Sequence, residues 1–326
     1  MTKILIIGGG GMVGQKLAQR LADQGLAGHD TCDVTLFDIG FPENSAPGEQ
    51  VTGNVTDQAR IEALAARQFD IIFHLAAIVS GESETNFDLG WSVNMMSMWH
   101  FLEALRGQHM ATEGAYIPKL VFTSSIAVFG APYPDKIGDE FLSAPQTSYG
   151  AQKAICELMI TDFSRKGFID GMSIRLPTIC VRPGKANLAA SSFFSGIVRE
   201  PLNGIEAILP VPDTVRHWHA SPRAAAKFLT HAATLDTDRL EGRRALSLPG
   251  VSCTVAEQIE ALRRAAGQNA VELIKPEPDQ AIMKIVEGWP RNFDPQRAIS
   301  LGFEAESSFD EIVETYITDD LPNRGS

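Results

Sequence analysis

The chain has 326 residues, 44% hydrophobic and 21% charged, which suits one large core with a second, smaller lobe. A net charge of −12 and the lack of any Lys/Arg-rich run argue against nucleic acid and anionic membranes as partners. Cys32, Cys156, Cys180 and Cys253 lack metal-ligand spacing, so no metal is expected and the thiols read as reduced.

The chain opens on MTKILIIGGGGMVGQ, whose apolar run is too short for a secretory signal or a membrane span. No other apolar stretch is long enough to span a bilayer, and a cytoplasmic location is expected. KILIIG reads as a buried strand and MVGQKLAQRLADQGL as a helix. DVTLFDI is a second strand. TDQARIEALAARQF is a helix, followed by the strand DIIFHLAA. LGWSVNMMSMWHFLEALRGQ reads as one long helix. KLVFTSSIAVFG starts as a strand and leaves through a loop. QTSYGAQKAICEL begins a helix with Thr147 or Ser148 as its cap, and GMSIRLPTI is a further strand.

Near-continuous Val/Ile/Leu strands between helices predict an α/β fold, a Rossmann-type doubly wound parallel sheet. After Pro177 the texture changes. Loop glycines and prolines surround a short helical piece in VRPGKANLAASSFFSGIVREPLNG, and SPRAAAKFLTHAATL is a helix with a small-residue face. CTVAEQIEALRRAAG and SSFDEIVETYI are later helices. The expected division is residues 1–176, with about 214–250, as the dinucleotide-binding domain. Residues about 177–213 and 251–326 would form a smaller, mostly C-terminal substrate-binding lobe.

Gly8, Gly11 and Gly14 follow a strand and open a helix, with Met12 and Val13 between the last two. That spacing allows a tight turn, close approach of amide N–H groups to a pyrophosphate, and close helix–strand packing. Asp38 ends the second strand, where a carboxylate accepts hydrogen bonds from both hydroxyls of an adenosine ribose and repels a 2′-phosphate. NAD is therefore expected rather than NADP. Asn54 and Val55 are placed for the adenine. HLAAI, with Leu75, Ala76 and Ala77 as cofactor candidates, ends a strand in the small side chains of the two alanines, as a backbone close to a cofactor requires. His74 reads as a packed histidine.

Tyr149 and Lys153 stand one helical turn apart on one face. Alone, a Tyr packed on a Lys stem explains them. Beside a nicotinamide cofactor they gain a purpose, because hydride transfer from an alcohol needs a base and a free phenol titrates near pH 10. An ammonium one turn away favours the phenolate. Ser125, at the carboxyl end of a strand, is placed to hydrogen-bond the reacting oxygen. Ser124 is its rival, but successive strand side chains alternate faces.

GGGGMVG, Asp38, HLAA, Asn94, TSSIAVFG, YGAQK and RLPTICVRPG, in this order, resemble the extended branch of the short-chain dehydrogenases/reductases over nearly the whole chain. The resemblance implies Ser125, Tyr149 and Lys153 as the catalytic triad, with Lys153 also holding the nicotinamide ribose. It implies that Asn94 helps order the active site and that Pro177 and Thr178 line the nicotinamide pocket. Relatives that dehydrate nucleotide sugars carry an Asp–Glu pair where this chain has Ile126 and Ala127, which sets dehydration aside. The second-lobe segment is similar to the four-carbon sugar-acid dehydrogenases of this branch, implying oxidation of the hydroxyl next to the carboxylate to a 2-oxo acid.

Candidate substrate groups are Arg182, Lys185, Asn187, Ser191, Ser192 and His217, with Ser80 weaker, beside Ser125 and Tyr149. Two alternatives stay open: a nucleotide-sugar epimerase with retained NAD, and a non-enzymatic dinucleotide sensor. The resemblance also implies a homodimer paired through the long helices after Gly90 and Tyr149.

Overall fold

The computed structural model describes residues 1–184 and 190–321. They fall into two compact units. The first comprises Met1–Val128, Pro145–Arg175 and Ala226–Ser247; the second comprises Phe129–Ala144, Leu176–Ala225 and Leu248–Ser326.

The first unit is built on a parallel sheet. Strand β1 (Thr2–Ile7) carries Ile4, Leu5, Ile6 and Ile7, all fully buried, because both faces of the strand are covered. Each such side chain contributes roughly 2 kcal/mol of hydrophobic burial. Helix α1 (Met12–Gln24) follows and buries Gly14, Leu17, Ala18 and Leu21 on one stripe. Strand β2 (Cys32–Asp38) pairs in parallel with β1, and β3 (Glu49–Thr52) with β2. β3 has no counterpart in the sequence reading, since EQVT is short, polar and lacks alternation. Helix α2 (Gln58–Ala65) starts at Asp57, whose carboxylate accepts from the Arg60 amide.

The chain then returns beside β1 as β4 (Ile71–His74) and continues to β5 (Lys119–Ser125). The strand order is Ala245–Ser247, Asp170–Leu176, β5, β4, β1, β2, β3. The direction of winding reverses between β1 and β4, and the carboxyl ends on either side of that point are where such sheets bind ligands.

The segment expected as one long helix has three parts: Phe87–Gly90, a π-wound stretch Trp91–Met96, and Ser97–Ala111. The wider turn carries Asn94, and no residue propensity announces such a turn. The helix Ser148–Arg165 is capped by Thr147, whose hydroxyl accepts from the Gly150 amide.

In the second unit a three-stranded sheet centres on Arg216–Ala220. That strand pairs in parallel with Thr178–Ile179 and antiparallel with Val251–Thr254. Thr254 and Glu257 form a capping box on the helix Val255–Ala266. The helix Phe309–Asp319 starts at Ser308, and with Ser192–Leu202 it contributes to a core that includes Phe194, Ile197, Leu262, Ile312 and Val313.

Two segments group differently from the sequence division. Arg216–Ala220 lies in the second unit because its strand partners are there. Phe129–Ala144 joins it through Ile137–Gly138, which pairs with Phe293–Asp294. Among the described residues no helix is long and apolar enough to cross a membrane.

Candidate active site

The glycine loop is a cradle that larger side chains would fill. Gly8 has φ +92°, and a Cβ there would lie 2.6 Å from the Ala76 nitrogen. A Cβ on Gly14 would lie 2.3 Å from the Gly8 carbonyl oxygen. The end of β1 therefore touches the segment after β4 that holds Leu75, Ala76 and Ala77. Both the Leu75 and the Ala76 amides donate to the Ile7 carbonyl, at 2.8 and 3.0 Å. Gly11 opens α1 with no side chain capping the first amides, and Met12 and Val13 are half-buried. An uncapped helix start behind a side-chain-free loop suits a pyrophosphate.

Asp38 Oδ2 accepts from the Gly10 amide at 2.9 Å, and Oδ1 from the Ile39 amide at 2.7 Å. Two backbone donors thus fix the carboxylate and leave it further acceptor capacity for ribose hydroxyls. Gly10 is a loop residue that the three-glycine spacing does not single out. A Cβ there would lie 2.0 Å from the Gly40 carbonyl oxygen, so the loop closes over Asp38 only because Gly10 is bare. Val55 is buried, and the exposed Asn54 accepts from the Thr56 amide at 3.0 Å. These features fit a dinucleotide.

Asn94 is buried and serves as a clamp. Its Oδ1 accepts from the Ile78 amide at 2.9 Å, and its Nδ2 donates to the Ile78 carbonyl, Ser83 Oγ and Gln152 Oε1. One side chain thus ties the loop after β4 to the residue beside Lys153. Ser80, half-buried, begins the short helix Ser80–Thr85 in that region.

The helix Ser148–Arg165 lies along the end of β5 by a seam of three contacts. At Gly150 the approach is closest: a Cβ would sit 2.1 Å from the Ala127 carbonyl oxygen. Lys153 Nζ donates to the Thr123 carbonyl at 2.8 Å. Glu157 accepts from Ser124 Oγ at 2.5 Å. Ser124 is thereby spent on the helix, while Ser125 is half-buried and its Oγ accepts from the Ala127 amide at 3.1 Å. Strand alternation separates the two serines as the sequence implies.

Lys153 is 2% exposed, and its ammonium lies 4.5 Å from the Phe122 ring centroid and 5.6 Å from that of Tyr149. Burial pushes its pKa down to about 8, opposed by Cys156 and Glu157. It is a cation at neutral pH beside a half-buried phenol. His74 is buried against Phe101 and Phe122, and burial, with Lys153 nearby, drives it down to about 3. It is neutral, as its reading as a packed residue implies.

In the second unit, Pro177 is buried and Thr178 half-buried. Arg182 is half-buried; its Nε donates to the Ile179 carbonyl at 2.9 Å and its amide to Ser195 Oγ at 3.0 Å. Ser192 begins a helix and is half-buried, as is Ser191 before it. Lys185 and Asn187 lie outside the described residues. His217, a candidate substrate residue, already has partners for both ring nitrogens. It is buried, burial drives its pKa down to about 4, and it is neutral near pH 7. Its Nδ1 lies 3.0 Å from the Pro290 carbonyl, which can only accept, so Nδ1 carries the proton. Nε2 then accepts from the Thr178 hydroxyl at 2.7 Å. Its ring stacks on Phe194, with centroids 5.2 Å apart.

Gly10, Gly150, Gln152 and Glu157 are residues around the candidate site that the sequence reading did not single out. Glu157 had a readable signal, since it follows Lys153 by one helical turn on the same face.

A parallel sheet with a glycine cradle, an acid at the end of its second strand and a Lys-supported tyrosine defines a dinucleotide-dependent oxidoreductase. The model of the NAD dependent epimerase/dehydratase family matches residues 4–218, and the chain belongs to that family, the extended short-chain dehydrogenases/reductases. It is an enzyme that uses NAD.

The chain is 43% identical over 323 residues to a D-erythronate dehydrogenase of Cupriavidus necator, covering 97% of this chain and 98% of the relative. It is 39% identical over 322 residues to one of Haemophilus influenzae, covering 98% and 100%. Among solved structures it is similar to a protein described as the nucleoside-diphosphate-sugar epimerase of Agrobacterium tumefaciens. That match has a TM-score of 0.93 and 53% identity, covering 98% of this chain and 94% of the other. The L-threonine dehydrogenase of Clostridium difficile shares the fold at TM-score 0.83 and 21% identity, covering 98% and 97%.

Proposed function

We propose that the protein oxidises the 2-hydroxyl of a four-carbon sugar acid, D-erythronate or a close analogue, to the 2-oxo acid. The observation that carries the proposal is the buried Lys153 ammonium 5.6 Å from the Tyr149 ring centroid. The two relatives named D-erythronate dehydrogenase, which the chain matches over nearly its full length, supply the substrate class.

NAD, when bound, supplies the hydride acceptor. Gly8, Gly11, Met12, Val13 and Gly14 hold its pyrophosphate, Asp38 its adenosine ribose, and Asn54 and Val55 its adenine. Leu75, Ala76, Ala77 and Asn94 complete the first unit's share of the cofactor site, and Pro177 is the second unit's cofactor candidate. Ser125 Oγ and the Tyr149 hydroxyl bind the reacting oxygen. Tyr149, as phenolate, removes the hydroxyl proton as the carbon-bound hydrogen leaves. Lys153 spends one N–H on Thr123 and directs its other donors at the phenolate oxygen and the nicotinamide ribose. Keeping the ammonium charged stabilises the phenolate electrostatically.

In the second unit Arg182 and Ser192 are the groups for the substrate carboxylate and hydroxyls, and in the first unit Ser80 is the weaker candidate. His217 acts by holding the Thr178 hydroxyl. The protein acts in the cytoplasm as a homodimer. The exposed apolar residues Trp99, 41% exposed, and Leu158, 71% exposed, on the two long helices support that pairing.

A second reading, epimerisation of a nucleotide sugar, is favoured by the 53% identical structure described as such an enzyme. Protein mixed with NAD and a panel including D-erythronate and L-threonate, followed by NADH absorbance, separates the two. NADH formation with a four-carbon acid is expected. Interconversion of nucleotide sugars by protein that retains NAD, without NADH release on any acid, overturns the dehydrogenase.

A further inference from the structure

We propose that Glu157 is a positioning residue, acting through Ser124 and Arg175 to hold the strand end bearing Ser125 in register with Tyr149 and Lys153. The proposal rests on the roles assigned above to those three residues.

Glu157 Oε1 accepts from Ser124 Oγ at 2.5 Å and from Arg175 Nε at 2.9 Å, and Oε2 from Arg175 Nη2 at 2.7 Å. Three distant parts of the sequence meet there: the end of β5, the third turn of the tyrosine helix and the strand Asp170–Leu176. The side chains are 14% exposed for Arg175 and 6% for Glu157. A buried ion pair is a weak source of stability, since well-packed apolar residues of similar volume often serve as well or better. What it supplies is direction. The bidentate fork fixes the carboxylate plane, and the carboxylate fixes the Ser124 hydroxyl.

The register follows from the helix. Residues 149, 153 and 157 lie on one face at successive turns. Lys153 grips the Thr123 carbonyl and Glu157 grips the Ser124 side chain, so consecutive strand residues are held from consecutive turns. Ser125 is the next residue, and its hydroxyl inherits the position of that strand end. A misplacement of about 1 Å at reacting groups costs about 100-fold in rate. No other residue described here ties Ser124 to the helix by its side chain.

The test uses full-length protein with NAD and D-erythronate, comparing wild type with Ser124→Ala, Glu157→Gln and Tyr149→Phe. In Ser124→Ala, kcat is expected to fall by about tenfold. KM for NAD should stay within about twofold, since the glycine cradle and Asp38 are untouched, and the melting temperature within about 4 °C. Glu157→Gln should lose more, and if it fails to fold Ser124→Ala decides alone. Wild-type turnover in Ser124→Ala overturns the proposal, as does a kcat loss matched by an equal weakening of NAD binding. Tyr149→Phe separates the layers. If it is inactive while Ser124→Ala is normal, only the positioning role falls; if it keeps turnover, the site assignment falls.

Discussion

The two units bury polar groups to different ends. In the first, Lys153 is kept as a buried cation beside a phenol, and Glu157, Ser124 and Arg175 form a fully directed network around the same helix. In the second, His217 and His219 are buried among Phe194, Trp289 and Phe309 and are held neutral. Desolvation acts in both places and lowers the pKa of each base. Lysine starts high enough to remain charged at neutral pH after the shift, whereas histidine starts too near neutrality to do so. Burial therefore makes an electrostatic tool of one residue and a packing and hydrogen-bonding piece of the others.

The largest effect expected from this contrast is chemical. Tyr149→Phe should lower kcat by about 10³-fold, with NAD affinity nearly unchanged by titration of intrinsic fluorescence. His217→Phe, by comparison, should leave a much larger share of turnover, and an equal loss in both variants would break the contrast.

Next comes acid stability. His74, His217 and His219 have folded-state pKa values below the unfolded value near 6.5, so the unfolded chain binds more protons as pH falls below it. Stability is complete above about pH 6.5 and declines toward the folded values. Between pH 6.5 and 5, His74 and His217 should each cost about 2 kcal/mol, read as a falling chemical-denaturation midpoint. A midpoint flat across that window would show that these rings are not held neutral.

Gly150→Ala places a methyl against the Ala127 carbonyl and should destabilise by about 1–3 kcal/mol while also lowering kcat. The smallest effect belongs to the cofactor acid. Asp38→Ala should weaken NAD binding about tenfold, the cost of roughly one lost charged hydrogen bond, as measured by calorimetry.

The first unit was legible because its signals are local. Glycine spacing, buried Val/Ile/Leu strands, the Asp38 strand end and the one-turn Tyr149–Lys153 interval all sit within short windows. Strand β3 escaped because four largely polar edge residues carry no periodicity. The π-wound turn at Asn94 escaped because its hydrogen-bond pattern is set by packing rather than residue type. Ser124 and Ser125 could be separated by alternation, yet the partner that claims Ser124 lies 33 residues away and is a tertiary fact. His217 shows the opposite limit. In RHWH, His217 reads as a candidate substrate group, and its partners Thr178, Pro290 and Phe194 appear only in the folded chain.

The proposed reaction is tested most directly with D-erythronate carrying deuterium at C2, incubated with the protein and NAD. The account predicts that the deuterium appears on the reduced nicotinamide, that the acid becomes a 2-oxo acid, and that Tyr149→Phe abolishes both. Deuterium retained on the acid while NADH forms would place the oxidation at another carbon and contradict it.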